Sequence, residues 1–319
     1  MDRRDFLKTS AAFLGTGVAM SGLSLATRIP FIGTSNALAG GNGVIYGALA
    51  QPTSGQSRIN SILDLEAKIG RRLDVVHHRF GWNGNLVNPF TEWLANSGRI
   101  PTISWFTRLR GGPTGPAIRW AEIAAGGHDA RLQQEAADVM AAGWPAYFAW
   151  HKEPENETAG NNVEYKAAYD HVHDVFDTVG VTNLTWLVTL TAATFNGRNG
   201  GPEAWLPSRY DVLGVDGYNR YTAARAPWKS FETIMTPARN FAVAQGRQLF
   251  VNETGSIEGA PGQKGQWFDE MGAVLKTWPE VIGFSYDHEL TSGNYYVDTS
   301  ASSLQSFRAI GQDPYFQPV

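Results

Sequence analysis

Short apolar runs alternate along the chain with longer segments in which apolar residues recur at helical spacing. The runs that predict strands cover residues 44–50, 73–77, 100–106, 146–150, 184–191, 212–215, 248–251 and 281–286. The periodic segments that predict helices cover residues 58–69, 89–96, 130–142, 163–179, 228–244, 265–277 and 302–310. Because such strands are joined by right-handed crossovers, the pattern predicts a parallel sheet of the α/β class.

Eight strands in this order fit a single (β/α)₈ TIM barrel, and no linker rich in Pro, Gly or Ser divides them. The alternative is an open, doubly wound sheet, which should carry a glycine-rich phosphate loop after its first strand. The sequence AQPTSG at residues 50–55 matches neither G-x-G-x-x-G nor a P-loop. We therefore expect a barrel, with its chemistry at the carboxyl ends of the strands.

The first 39 residues have the organisation of an export signal. Arg3 and Arg4 precede Phe-Leu-Lys and a moderately apolar run rich in Gly, Ala and Ser, and an A-x-A cleavage motif ends at Ala39. The segment resembles a twin-arginine (Tat) signal, and a Sec signal or a retained anchor helix is the alternative. We expect Tat export to the periplasm or the extracellular space, leaving residues 40–319 as one mature domain.

Composition narrows the classes of function. The 319 residues are 43% apolar and 12% aromatic, so the chain can bury a large core. The net charge of −4 and the lack of a basic cluster argue against nucleic acid, and no membrane association is expected of the mature form, which we expect to be a monomer. The absence of cysteine excludes thiol nucleophiles, thiolate metal sites and disulfides.

Two predicted strands run directly into carboxylates. The sequence YFAWHKEPEN at residues 147–156 places Glu153 after the fourth strand, and QLFVNETG at residues 248–255 places Glu253 after the seventh. Because the strands of a barrel all end at one mouth, these two glutamates should face each other across it. Glu155 and Glu157 remain alternatives to Glu153.

A facing carboxyl pair is the requirement of glycoside hydrolysis. One group protonates the leaving oxygen, and the other attacks or stabilises the oxocarbenium-like sugar. The environments of the two groups must keep one ionised and the other protonated near neutral pH. We predict a separation of roughly 5–5.5 Å, the spacing of the retaining mechanism.

Several motifs along the barrel then point to a family. They are GRIP at residues 98–101 leading to Ser104-Trp105, HKEPEN at 151–156, TNLTW at 182–186, DVLGVDGYN at 211–219 and NETGS at 252–256. Their order resembles clan A glycoside hydrolases and, more narrowly, glycoside hydrolase family 26, the β-mannanase family and its relatives. The resemblance covers most of the mature chain. It implies a polysaccharide or oligosaccharide substrate, β-mannan or a related β-glycan. It also implies an activity that needs no cofactor and no metal.

The resemblance also assigns roles to individual residues. It matches Glu153 to the acid/base, Glu253 to the nucleophile, Tyr218 to a tyrosine that steadies the nucleophile, and Trp105 to an aromatic residue near the cleaved sugar. Further residues expected to bind substrate are Asp216, His78, His151 and Trp150.

Lys152 departs from the family pattern, which usually places a histidine directly before the acid/base. A cation beside that glutamate favours its ionised form, which is the wrong direction for an acid. We therefore expect either that Lys152 points away from the site or that His151 takes the supporting role.

Other chemistries fit less well. Asp287-His288-Glu289 could suggest a metal, but three adjacent strand residues cannot all face one ion. The chain lacks the G-x-S-x-G elbow of serine hydrolases. A non-catalytic carbohydrate-binding barrel and a hydrolase of a bacterial surface polysaccharide or exopolysaccharide remain as alternatives.

Overall fold

Eight parallel strands pair in chain order, and the last pairs with the first, so that the sheet closes into a barrel. This confirms the predicted (β/α)₈ TIM barrel. The computed structural model describes residues 43–109, 115–222 and 226–318, so the predicted export signal lies outside the described residues. The strands are β1 (Ile45–Ala50), β2 (Val75–Phe80), β3 (Ile100–Trp105), β4 (Ala146–Trp150), β5 (Leu184–Thr191), β6 (Val212–Asn219), β7 (Leu249–Ser256) and β8 (Val281–His288).

Helices cover the outside of the barrel. They are α1 (Arg58–Ile69), α2 (Pro89–Asn96), α3 (Trp120–Ala124), α4 (Asp129–Ala142), α5 (Asn162–Val179), α6 (Ala192–Phe195), α7 (Phe231–Ala244), α8 (Gln263–Thr277) and α9 (Ala301–Gln312). The sequence pattern missed α3 and α6 because a helix of one turn is too short to show a period. None of the described helices is long and apolar enough to cross a membrane.

Alternation along each strand separates two apolar layers. One set of strand side chains fills the barrel interior, and the other packs between barrel and helices. The interior set comprises Ile45, Val75, Tyr147, Ala149, Leu187, Val212, Phe250 and Ile282. The position of a residue in this alternation therefore decides whether its side chain can reach the mouth of the barrel.

The last three strands extend beyond their apolar runs. The predicted segments 212–215, 248–251 and 281–286 end before Asp216, Glu253 and Asp287, yet these three residues lie within β6, β7 and β8. Apolar residues end where the barrel interior ends, but strand pairing continues towards the mouth. The polar side chains of these extensions bond to one another, so the strands do not need apolar residues there.

A β-bulge in β7 aims Glu253 into the mouth. Val215 pairs with Val251, but the next residue, Asp216, pairs with Glu253, which leaves Asn252 as the extra residue. Because Val251 packs in the layer under the helices, regular alternation would send Glu253 to the same layer. The bulge shifts the alternation by one residue and redirects the carboxylate.

Candidate active site

Glu253 is held by cations and one hydroxyl at the centre of the mouth. Its side chain is 3% exposed. Arg79 Nε donates to its Oε1 at 2.9 Å, the Tyr218 hydroxyl donates to its Oε2 at 2.8 Å, and Lys152 Nζ lies 2.6 Å from Oε2. Burial raises the pKa of Glu253, but Arg79 and Lys152 outweigh burial and hold that pKa well below its usual range. Glu253 is therefore a carboxylate that stays ionised.

Glu153 stands opposite in a different environment. Its side chain is 25% exposed, and its Oε2 accepts a hydrogen bond from Asn156 Nδ2 at 3.3 Å. The backbone has φ 50° at Glu153 and φ 49° at His151, a left-handed region that is costly for residues other than glycine. The Glu153 amide donates to the Thr189 carbonyl at 2.8 Å, and this bond helps to fix the conformation.

The two glutamates predicted as catalytic converge with two of the residues predicted to bind substrate. Glu153, Asp216 and Glu253 each place one carboxylate oxygen within 4.8 Å of those of the other two. Tyr218 joins them through its bond to Glu253 and lines the same cleft as Glu153 and Asp216. Four of the eight predicted site residues therefore meet at one end of the barrel.

Lys152 points into this cluster, so the expectation that it points away is wrong. Its buried ammonium lies 2.7 Å from Asp216 Oδ2 and 2.6 Å from Glu253 Oε2, but 3.8 Å from Glu153 Oε1. Burial lowers the pKa of Lys152, but the surrounding carboxylates more than reverse that effect and keep it charged. The charge of Lys152 is directed mainly at Asp216 and Glu253.

His151 does not take the supporting role that the sequence allowed. It is fully buried, and its Nδ1 accepts a hydrogen bond from the Thr107 amide at 3.0 Å. Its ring packs edge-on against Trp120, and burial lowers its pKa to about 3. His151 is therefore a neutral core residue that packs with Thr107 and Trp120 and does not contact the two glutamates.

The two predicted sugar-contacting tryptophans also lie in the core. Trp105 and Trp150 are fully buried in the layer between barrel and helices. Trp105 stacks on Trp82 with 4.8 Å between ring centroids, and Trp150 stacks on Tyr165 at 5.8 Å. Both occupy outward positions of their strands, so the structure does not bring them to the mouth where Glu153 and Glu253 meet.

On β2 the inward residues His77 and Arg79, and not His78, reach Glu253. His78 packs edge-on against Phe80 and Phe90 and borders a second cavity of about 350 Å³. His77 bonds to Ser104 through Nε2 at 2.8 Å, and its Nδ1 lies 3.5 Å from Glu253 Oε1. Alternation explains the difference, because positions 77 and 79 face the interior and position 78 does not.

Arg79 organises a second set of acids, and the sequence did not single it out. Besides Glu253, it bonds to Asp287 Oδ2 at 2.6 Å and Glu289 Oε2 at 3.0 Å. Burial raises the pKa of Asp287 and that of Asp216 well above the usual range, although Arg79 and Lys152 act in the opposite sense. The sequence feature that could have identified Arg79 is its position near the end of β2, two residues after His77.

The Tyr218 hydroxyl bridges Glu253 and Asp287. Its oxygen lies within hydrogen-bond distance of both Glu253 and Asp287, but a phenol has one proton to donate. Asp287 Oδ2 also accepts a hydrogen bond from Arg79 Nη2 at 2.6 Å, and burial raises the pKa of Asp287. This chain of bonds holds the Glu253 carboxylate in place.

Cations occupy the space that a metal would need. Two groups of acidic and histidine side chains converge among the described residues: His77, Glu253 and Asp287, and Glu153, Asp216 and Glu253. Arg79 already bridges Glu253 and Asp287, and Lys152 bridges Glu253 and Asp216. His288 bonds instead to the Val297 amide, so Asp287, His288 and Glu289 do not share one ligand position.

The neighbouring acids Glu155 and Glu157 support the loop after β4. Glu155 Oε1 accepts hydrogen bonds from the Thr191 amide at 2.6 Å and the Thr194 hydroxyl at 2.8 Å. Glu157 forms an ion pair with Arg108. These bonds leave Glu153 as the carboxylate of this loop that meets Glu253.

A cleft of about 480 Å³ opens beside the pair, among the loops that follow β4, β5 and β6. Glu153, Asp216 and Tyr218 line it. The fold and the site together define a (β/α)₈ barrel with an ionised glutamate on strand seven and a partly exposed glutamate after strand four.

The chain is similar in sequence to a known protein. The chain matches no family model. It is 25% identical over 291 residues to endoglucanase H of Acetivibrio thermocellus, an alignment that covers 85% of this chain and 31% of that protein. The chain therefore spans about a third of the length of this curated relative.

Solved structures with the same fold include members of glycoside hydrolase family 26 (GH26). The catalytic domain of a GH26 endo-β-1,4-mannanase from Bacillus sp. JAMB-750 aligns with a TM-score of 0.62 at 15% identity, covering 86% of this chain and 87% of that one. The GH26 domain of an endo-β-mannanase/endo-β-glucanase from Prevotella bryantii aligns with a TM-score of 0.59 at 14% identity, covering 86% and 90%. At these identities the likeness is one of fold.

Proposed function

We propose that this protein is a retaining glycoside hydrolase, related to GH26, that cleaves a β-linked polysaccharide. Glu253 is its nucleophile and Glu153 its acid/base. The observation that carries the proposal is the contrast between the two: an ionised, buried Glu253 and a partly exposed Glu153 whose carboxylate oxygens approach within 4.8 Å. This approach supports the short separation of the retaining class, because inverting enzymes leave about 6.5–9.5 Å for a water molecule.

The first half of the reaction uses both glutamates at once. A Glu253 oxygen attacks the anomeric carbon, while the protonated Glu153 gives its proton to the glycosidic oxygen and the bond to the leaving sugar breaks. In the second half, the Glu153 carboxylate takes a proton from water, and that water attacks the anomeric carbon and releases Glu253. The sugar keeps its anomeric configuration after two inversions.

The cations around Glu253 prepare this residue for attack. Arg79 and Lys152 keep it ionised, and the Tyr218 hydroxyl fixes one of its oxygens. Lys152 replaces the histidine that usually precedes the acid/base, but it bonds to Asp216 and Glu253. Its charge therefore stabilises the ionised form of Glu253 more than it stabilises the ionised form of Glu153.

The substrate we propose is β-mannan or a related β-glycan. The proteins compared above include endo-β-mannanases and an endoglucanase, which supports this class. A hydrolase of a bacterial surface polysaccharide or exopolysaccharide on the same barrel is the second candidate. From the twin-arginine motif of residues 1–39 we also propose Tat export and a mature domain of residues 40–319.

Release of reducing ends from a panel of β-mannans, β-glucans and bacterial exopolysaccharides tests the proposal. We expect hydrolysis of at least one polymer by the wild type, loss of hydrolysis in Glu253→Ala, and normal activity in Glu203→Gln, which removes an exposed carboxylate outside the pair. A protein that retains polysaccharide on affinity gels without releasing reducing ends would instead be a carbohydrate-binding barrel.

A further inference from the structure

The cleft beside the glutamates is lined by cations that the proposed hydrolysis does not use. Arg198, Arg220 and Lys229 line the 480 Å³ space together with Glu153 and Asp216. All three cations are exposed, and none of them forms an ion pair with any residue that the structure describes. The chain as a whole is acidic, with a net charge of −4, so this grouping runs against the overall charge.

Arg220 links these cations to the reacting centre. Its guanidinium carbon lies 4.6 Å from the centroid of the Tyr218 ring, and its Nη1 donates to the Ser292 hydroxyl at 2.5 Å. Tyr218 in turn bonds to Glu253. Arg220 therefore packs against the tyrosine that bonds to Glu253, and it lines a cleft that is open to solvent.

The acids that line the cleft do not neutralise these cations. Asp216 bonds to Lys152, and Glu153 is the proposed acid/base. No other acidic residue lies among the described residues that line the cleft. A guanidinium presents paired donors that match a carboxylate or another flat oxyanion, and exposed ammonium groups attract such anions as well.

We propose that the polysaccharide cleaved by this protein carries anionic groups, and that Arg220, Lys229 and Arg198 bind them in this cleft. The anion is a carboxylate or a sulfate ester on a sugar close to the cleaved bond. This inference rests on the proposed function and names the class of its substrate. The volume of the cleft lies within the range of about 300–1,000 Å³ usual for pockets that bind small molecules.

Matched polymers test the inference whichever linkage the protein cleaves. Each neutral glycan of a β-glycan panel is compared with its C6-carboxylated and its sulfated derivative. Affinity electrophoresis measures binding to a Glu153→Gln variant, which removes the proposed acid/base so that little substrate is consumed. Reducing-end release by the wild type is measured in parallel.

We expect at least one anionic derivative to bind about fivefold or more tightly than its neutral parent, and the advantage to disappear near 0.5 M salt, because salt screens exposed charges. The Arg220→Gln/Lys229→Gln variant should lose that advantage, measured as the ratio of anionic to neutral binding within the same variant. The control Arg72→Gln/Arg247→Gln removes the same charge from the opposite end of the barrel and should keep the advantage.

The outcomes separate this inference from the proposed function. If no anionic derivative binds better than its neutral parent, or if the cleft variant and the control behave alike, the inference is wrong even when neutral glycans are hydrolysed. If the wild type binds anionic glycans but releases no reducing ends from any polymer, the proposed function fails while the binding claim stands. Preference for one derivative identifies the anion as carboxylate or sulfate.

Discussion

The ends of β4 and β7 each present one glutamate to the same mouth, but they do so in opposite ways. On β7 the chain stays extended, and a bulge turns Glu253 into a buried network of Arg79, Lys152 and Tyr218. After β4 the chain turns through two left-handed residues, and Glu153 emerges partly exposed with Asn156 as its hydrogen-bond partner.

The difference shows how one barrel can assign two roles to the same residue type. Fixed cations at 2.9 Å and 2.6 Å stabilise a permanent negative charge on Glu253. An acid/base has to change its charge twice in each cycle, so it needs access to substrate and water and no tightly bound cation. In the proposed mechanism, the environments of the two glutamates, more than the residue types, decide which glutamate attacks.

Removing the nucleophile should have the largest effect. Glu253→Ala deletes the group proposed to form the glycosyl-enzyme, so we expect kcat to fall by about 10⁴-fold or more on every substrate. Initial rates on polysaccharide and on activated aryl glycosides measure the loss. A variant that remains folded by circular dichroism and hydrolyses aryl glycosides at near wild-type rates would contradict the role of Glu253.

Removing the acid/base should have an effect that depends on the leaving group. General acid catalysis contributes about 10²–10⁴-fold, so Glu153→Ala should lose about that much on polysaccharide. On aryl glycosides whose leaving group needs no proton, formation of the glycosyl-enzyme should be nearly normal, and the intermediate should accumulate. Equal losses on both substrate types, or the same signature in Glu155→Ala, would place the acid elsewhere.

Lys152 tests whether cations keep Glu253 ionised. The pKa of Glu253 is depressed in the folded protein, so activity that needs the carboxylate persists until the pH falls to that low value. Lys152→Met removes one of the two cations that lower the pKa of Glu253, whereas burial still raises it. The acidic limb of the pH profile of kcat/KM should therefore move to higher pH by about one unit or more.

Lys152→Arg keeps the positive charge and serves as the control. The acidic limb of its pH profile should lie near that of the wild type. Both variants are first checked for folding, because the loss of one partner from a buried ion pair also destabilises a protein. If folded Lys152→Met has an unchanged acidic limb, Arg79 alone is sufficient to keep Glu253 ionised.

Asp287→Asn should have the smallest effect. If Asp287 carries a proton and donates to Tyr218, an asparagine amide can donate in its place, so we expect kcat within about threefold of the wild type. Asp287→Ala leaves Tyr218 without that donor and should reduce kcat more. A loss in Asp287→Asn as large as that in Asp287→Ala would show that Asp287 acts as a carboxylate.

The sequence predicted the eight strands, their order and the residues that form the carboxylate cluster. It succeeded because apolar runs mark barrel strands, and polar residues directly after such runs mark the mouth. It ended β6, β7 and β8 too early because it equated the end of hydrophobicity with the end of pairing. Asp216, Glu253 and Asp287 lie on strands above the apolar interior, where Lys152 bonds to Asp216 and Arg79 bonds to Glu253 and Asp287.

Alternation along the strands explains the other differences. Trp105, Trp150 and His78 occupy outward positions, and composition alone does not show which face of a strand looks inward. The bulge at Asn252 changes that alternation within β7, and no residue in the sequence predicts the bulge. Lys152 was ambiguous for the same reason, because its direction depends on the left-handed turn at His151 and Glu153.

The most direct test of the account is the product that each glutamate variant forms with azide. In Glu253→Ala, azide can enter the space left by the nucleophile and displace the leaving group in one step, so we predict a glycosyl azide of inverted configuration. In Glu153→Ala, azide should attack the accumulated glycosyl-enzyme and give retained configuration. Proton NMR of the products of an activated substrate decides between the two. The same configuration from both variants, or reversed assignments, would contradict the roles proposed for the ends of β4 and β7.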